Sequence, residues 1–226
     1  MIRKHNGSSD FSHSILQSLI IQKFEKQNSF GFVKADLRPK SSDETFRSIA
    51  KVSPLLRWFG DPVLRRICVP VNLDVGLVRA KQTALKLKDT LLRVRRCLGL
   101  GRGLSAPQIG VSDRIFVVLI GDKIDVFVNP RILSFSDSLA SYPEMCLSGL
   151  PLAAEVIRPY EIQVEYYDVS GHPHIINPDP FLSRIIQHEV DHLNGILFTD
   201  KATPQSLRFV FDFDDYKKNS NLIKID

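Results

Sequence analysis

Nine residues late in the chain, Gln187-His188-Glu189-Val190-Asp191-His192-Leu193-Asn194-Gly195, constrain it more than any other stretch. His188 and His192 stand four apart, so on an α-helix both imidazoles lie on one face and reach a single ion. Glu189 is one step round that helix, placed to move a proton without serving as a ligand. The preceding residues favour the helix. Asp179 suits the N-cap, Pro180 the first turn, and Leu182, Ile185, Ile186 and Leu193 form a buried stripe, with Gly195 as the stop. A core helix whose histidines bond only to backbone has the same pattern, so the rest of the chain has to decide.

The totals set wide bounds. With 226 residues the chain suits one medium domain with extensions. Hydrophobic residues make up 43% and charged residues 24%, as in ordinary globular proteins. No apolar run approaches the ~20 residues that span a bilayer. A net charge of +5 and a pI near 9.1 favour anionic surroundings such as ribosomal RNA or a cardiolipin-rich membrane, though many proteins that bind neither share them. Three cysteines at irregular spacing, Cys68, Cys97 and Cys146, argue against a disulfide scaffold and for a reducing compartment. Cys68 and Cys97 read as structural residues.

Along the chain, residues 1–53 form an N-terminal extension that differs in character from the remaining residues. Ile15, Leu16, Leu19 and Ile20 fall at helical spacing in a serine-rich stretch. Up to Ala35, five bases (Arg3, Lys4, Lys23, Lys26, Lys34) face two acids (Asp10, Glu25). That is the profile of an organelle transit segment, with an extension that packs on the domain as the alternative. From Pro54 the chain turns globular, with a Gly60-Asp61-Pro62 turn. Asp74 is placed to cap a long helix ending at Leu98 and Gly99, with Leu77, Val78, Ala84, Leu85, Leu91, Leu92 and Leu98 as its apolar face. Arg93, Arg95, Arg96 and Arg102 gather at its end, a solvated basic patch or an RNA-docking one. Gly101 to Gly110 reads as a tight loop, without the spacing of a dinucleotide site. Arg114–Ile120 and Lys123–Val128 form a hairpin on Gly121-Asp122, Arg131–Phe135 reads as another strand, and Tyr160–Val169 alternates like a half-buried strand. Residues 203–226 form a C-terminal tail with no assigned role. The fold class expected is α+β, with short antiparallel strands and hairpins packed around a central metal-binding helix and one further long helix.

A four-coordinate ion held by two imidazoles needs a third ligand and an open position. After His192 there is no histidine, and Asp200 is the first carboxylate. Upstream, Cys146 in Tyr142-Pro143-Glu144-Met145-Cys146-Leu147-Ser148 is the other choice, at the end of a strand. A buried cysteine with no ligand role fits that position as well.

Taken together the residues resemble one family. Gly103-Leu104-Ser105-Ala106-Pro107-Gln108, Glu144-Met145-Cys146-Leu147-Ser148 and His188-Glu189-Val190-Asp191-His192 match, in order, the three signature motifs of peptide deformylases. Gly60-Asp61-Pro62-Val63-Leu64 is similar to the family's opening, and the resemblance covers residues 54–202 as a catalytic domain. It implies that Cys146, His188 and His192 hold Fe(II) or Zn(II), lowering the pKa of a bound water toward ~7. It implies Glu189 as general base and then acid. Gln108 and the backbone N–H of Leu147 would act as oxyanion donors, with Gly103, Glu144 and Met145 along the substrate. Glu144 and Asp191 also suit a place behind the ligands, with Arg158 as partner to either. The substrates implied are N-formylmethionyl nascent peptides, with transient ribosome contact, no DNA and no membrane span. Ser105 and the basic leader resemble the mitochondrial form of eukaryotes; a plastid or the cytoplasm is the alternative.

One departure matters. Met145 stands where the family commonly has glycine, and a side chain there is expected to narrow the cleft. Two alternatives stay open: a zincin-type metallopeptidase, on the histidine helix alone, and, from Met145 and the arginine cluster, a catalytically weakened relative that keeps its metal as a fold element.

Overall fold

The computed structural model describes residues 42–225. The leader reading, with its apolar stretch from Ile15, lies outside the described residues. Among the described residues there are four α-helices: α1 (Ser42–Val52), α2 (Leu77–Leu98), α3 (Pro180–Leu193) and α4 (Phe213–Asn219). Nine strands run in chain order: β1 (Gly103–Ser105), β2 (Ile115–Ile120), β3 (Lys123–Phe135), β4 (Leu139–Met145), β5 (Leu152–Pro159), β6 (Ile162–Tyr167), β7 (Pro173–Ile176), β8 (Arg208–Phe209) and β9 (Ile223–Ile225). All pairings between these strands are antiparallel. They build a five-stranded sheet in the order β1-β2-β3-β6-β7 and a four-stranded sheet in the order β8-β5-β4-β9.

The expected hairpin forms β2 and β3. The strand expected at Arg131–Phe135 is not separate but continues β3 beyond a bulge at Asn129, whose φ is +51°. The Asn129 amide accepts from Val71 N at 2.7 Å and donates to Val71 O at 2.8 Å, which pins the incoming chain to the bulge.

α2 ends as expected, on Gly99 in the left-handed region at φ +66° with its N–H on Arg95 O. Its start differs. Gly76, not Asp74, occupies the N-cap without a side-chain bond, and Asn72 Oδ1 accepts the N–H groups of Asp74 and Val75. Its buried face is Ala80, Ala84, Leu87, Leu91, Val94 and Leu98, packed with Leu104, Ile115, Val117, Val126 and Val128 of the five-stranded sheet. Val78, Leu85 and Leu92 of the expected apolar face are exposed. Short Ala and Thr side chains let the helix sit close to the sheet, which hydrophobicity alone underrates. Cys97 is likewise exposed, not a core residue.

α3 starts as the sequence predicts, with Asp179 Oδ1 accepting from Leu182 N at 3.0 Å. Ile185, Ile186, Val190 and Leu193 pack with Phe116, Phe127, Ile162 and Val164. Its end is pinned by Cys68 N on Leu193 O at 2.8 Å. Gly195, at φ +73°, lies so close to the Arg65 carbonyl that a Cβ would stand 2.5 Å from its oxygen. The segment after residue 203 contributes α4 and the two edge strands of the four-stranded sheet, β8 and β9, and Phe213 joins the core below α2.

Candidate metal centre

The last turns of α3 face the inner side of the four-stranded sheet, where β4 ends in Met145-Cys146. The ligand atoms of Cys146, His188 and His192 lie within 4.8 Å of one another, and all three residues are buried. Cys146 Sγ stands 3.1 Å from His192 Nε2. His188 Nδ1 meets Glu144 Oε2 at 2.8 Å, which leaves Nε2 as its atom for a ligand bond. A thiolate with two imidazoles suits zinc or ferrous iron with one position open.

The surroundings favour a cation at this point. Burial works against a charged His188, yet its hydrogen bonds to Cys146 and Glu144, with their charges, lift it to about 10. His192 goes the other way, held well below its usual range by burial and by His188, which keeps it in the neutral form that ligates. Its Nδ1 has no protein partner among the described residues, so Glu144 orients only one of the two rings.

Behind the ligands lies an ionic lattice. Arg158 reaches across from β5 and grips Glu144 with Nε at 2.6 Å and Nη2 at 2.9 Å, while Nη1 meets Asp191 at 2.7 Å. Lys201 closes on the other oxygen of Asp191 at 2.8 Å. Burial opposes the charge on Glu144, but Arg158 and His188 hold its carboxyl well below the ordinary carboxylate range. Arg158 therefore ties the strand that carries Cys146 to the helix that carries both histidines, through Glu144 and Asp191 together.

Glu189 is buried beside the centre with its pKa raised, chiefly by burial, against the pull of His188 and Ser105. Ser105 Oγ donates to Glu189 Oε2 at 2.5 Å. Gly103 is pressed against the same carboxylate, since a Cβ there would lie 2.3 Å from Oε1. Gly103 thus gives Glu189 room. The Gln108 side-chain carbonyl accepts from Ser105 N at 2.8 Å, and its amide nitrogen donates to Ser148 Oγ at 3.1 Å and faces Cys146 Sγ at 3.4 Å. Leu147 opens the turn Leu147–Gly149, whose leading N–H groups have no partner inside the turn.

Cys146, His188, His192, Glu189, Gln108, Leu147 and Gly103 therefore converge. The Glu144 side chain is sealed from solvent and used by Arg158, His188 and Arg184. Met145 is half-buried and packs on the core below α2. A downstream carboxylate ligand is ruled out as well, because Asp200 pairs with Arg65 and accepts from Leu197 N. Sequence reasoning did not single out Ser148 or the Ser105–Glu189 bond, nor Arg184, which stacks 4.0 Å from the Tyr142 ring. Ser105 and Glu189 are 84 positions apart, and no spacing rule spans that distance.

Residues 55–208 match the family model of polypeptide deformylases. The peptide deformylase of Treponema pallidum (strain Nichols) is 38% identical over 146 residues, which is 65% of this chain and 86% of that protein. The crystal structure of peptide deformylase from Thermotoga maritima superimposes with a TM-score of 0.60 at 35% identity, covering 66% of this chain and 97% of that one. A Met-Ala-Ser-bound peptide deformylase from Acinetobacter baumannii gives 0.59 at 32% identity, covering 65% and 96%. With its three motifs gathered round one centre and two thirds of its length matched, the chain belongs to the polypeptide deformylase family.

Proposed function

We propose that Cys146 Sγ and the Nε2 atoms of His188 and His192 hold one divalent ion, Fe(II) or Zn(II), with which this deformylase releases formate from N-formylmethionyl peptides of newly made proteins. The convergence of Cys146 with two imidazoles, 46 positions apart at the widest, carries the reading. Methionyl peptide bound to the Acinetobacter relative supports the product assignment. The ion supplies a Lewis acid at the formyl group and an activated water. Glu189 takes a proton from the attacking water at its carboxylate and delivers it to the leaving amine nitrogen. Its raised pKa brings it nearer neutrality, which serves both transfers, and Ser105 Oγ on Oε2 holds its orientation. Gln108 Nε2 and the Leu147 N–H are the donors for the developing oxyanion; losing one such donor typically costs ~10²–10³ in rate. Gln108 is held for this by Ser105 N at its carbonyl, so its amide N–H groups point to the centre.

Metal content and formate release from formyl-Met-Ala-Ser, measured on one anaerobic preparation, test the reading. Glu189→Ala should keep the ion and release no formate, while Cys146→Ala should lose the ion. An iron- or zinc-loaded wild type that yields no formate would refute it.

The same reading places the protein in an organelle that begins translation with formylmethionine, a mitochondrion first, with transient contact to the ribosome. The acid-poor, basic first 35 residues support this. A fluorescent fusion that stays in the cytosol would remove it.

A further inference from the structure

We infer that the outward face of α2 docks on an anionic lipid surface. Val78, Leu85 and Leu92 recur every seven residues, nearly two helical turns, and so fall in one line about 20 Å long. They are 70%, 66% and 46% exposed, and Val75, just ahead of the helix, is 81% exposed. Scattered exposed aliphatics are ordinary, but an aligned row on a long helix is not.

The row is set in positive charge. Lys81, Lys86, Arg93 and Arg96 are exposed around it and Lys88 is half-buried. Asp89 is the one acid in the helix, and it pairs with Arg93 at 2.8 Å. A helix with one face fixed in a core and the other mixing aliphatic side chains with bases is built to lie in a headgroup layer. No described helix is long and apolar enough to cross a bilayer, so the contact is a surface one.

The alternatives fit less well. A nucleic-acid strand asks for bases with aromatic platforms, and aliphatics here would face phosphate. A second copy meeting the same face about a two-fold axis would set its basic side chains against their own equivalents.

The test uses the full chain and stands whether or not the centre cleaves formyl amides. Co-flotation is measured with vesicles of phosphatidylcholine alone and of phosphatidylcholine with phosphatidylglycerol, at low and high salt. Wild type should float only with the anionic vesicles, and less at high salt. Val78→Ser/Leu85→Ser/Leu92→Ser should weaken partition roughly a hundredfold. Lys81→Glu/Lys86→Glu should weaken it by at least about twenty-fivefold, each base near an anionic surface being worth roughly fivefold. Thermal midpoints within a few degrees of wild type show that both variants fold. Equal flotation with both vesicle types, or serine variants that float as wild type does, would overturn the inference. So would anisotropy binding to a single-stranded RNA that the glutamate pair abolishes and the serine triple leaves intact.

Discussion

Below α2 the interior is aliphatic, whereas below the C-terminal half of α3 it is ionic. Leu87, Leu91 and Val94 meet Ile115, Val117 and Val128 in one continuous aliphatic cluster. A single turn of α3, about 6 Å of helix from His188 to His192, instead buries two imidazoles and two carboxylates beside Glu144 and Arg158. The aliphatic region is non-directional and tolerates exchange of similar volumes. The ionic region works only if every member keeps its partner, because each buried charge left alone costs several kcal/mol. The second region is where the chemistry lies, and it is carried on the rigidity of the first.

The sharpest break between the two regions is in rate. Glu189→Gln should lower kcat/KM by ~10²–10⁴ while metal content holds, and Leu87→Ala should leave kcat/KM near wild type, as steady-state formate assays on both will show. Stability reverses the order of interest. Arg158→Met removes the buried cation shared by Glu144 and Asp191 and should cost about 3–5 kcal/mol in urea unfolding. Leu87→Ala should cost about 2–5 kcal/mol through its cavity. Adding Glu144→Leu and Asp191→Leu to Arg158→Met should recover part of the loss, whereas no polar partner would rescue the Leu87 cavity.

Acid separates them next. The folded Glu144 carboxyl lies below its unfolded value near 4.5, so the folded state releases that proton more readily. Its stabilisation is complete above 4.5 and drains as pH falls toward the folded value. Urea midpoints followed downward from neutrality should therefore show the advantage of wild type over Glu144→Gln shrinking below 4.5, while the advantage over Leu87→Ala stays flat. The smallest effect belongs to a pair outside both regions. Arg65 and Asp200 meet at 50% and 37% side-chain exposure, and Arg65→Ala should cost no more than about 1 kcal/mol.

Legibility followed the same division. The helix of His188 and His192 could be read because its cap, stripe and stop are local, as could the hairpin on Gly121-Asp122. The Arg158 bridge was legible as a partner to Glu144 or Asp191, and the structure shows that it serves both. The start and outward face of α2 were misread, since Asn72 outcompetes Asp74 in a turn and alanines take the buried side. The tail after residue 203 could not be placed, because strands of two and three residues have no pattern of their own and exist only by pairing with β5 and β4.

Residue types at helical spacing by themselves put His188 and His192 on one face with Glu189 beside them, and the resemblance of the ordered motifs pointed to Cys146 as the third ligand. Only the tertiary structure decided that Ser105 and Gly103 seat Glu189, that Glu144 orients His188 while His192 lacks such a partner, and that Met145 turns to the core. Those are contacts between residues dozens of positions apart, and packing of sheet against helix, not local propensity, brings such atoms within hydrogen-bond reach.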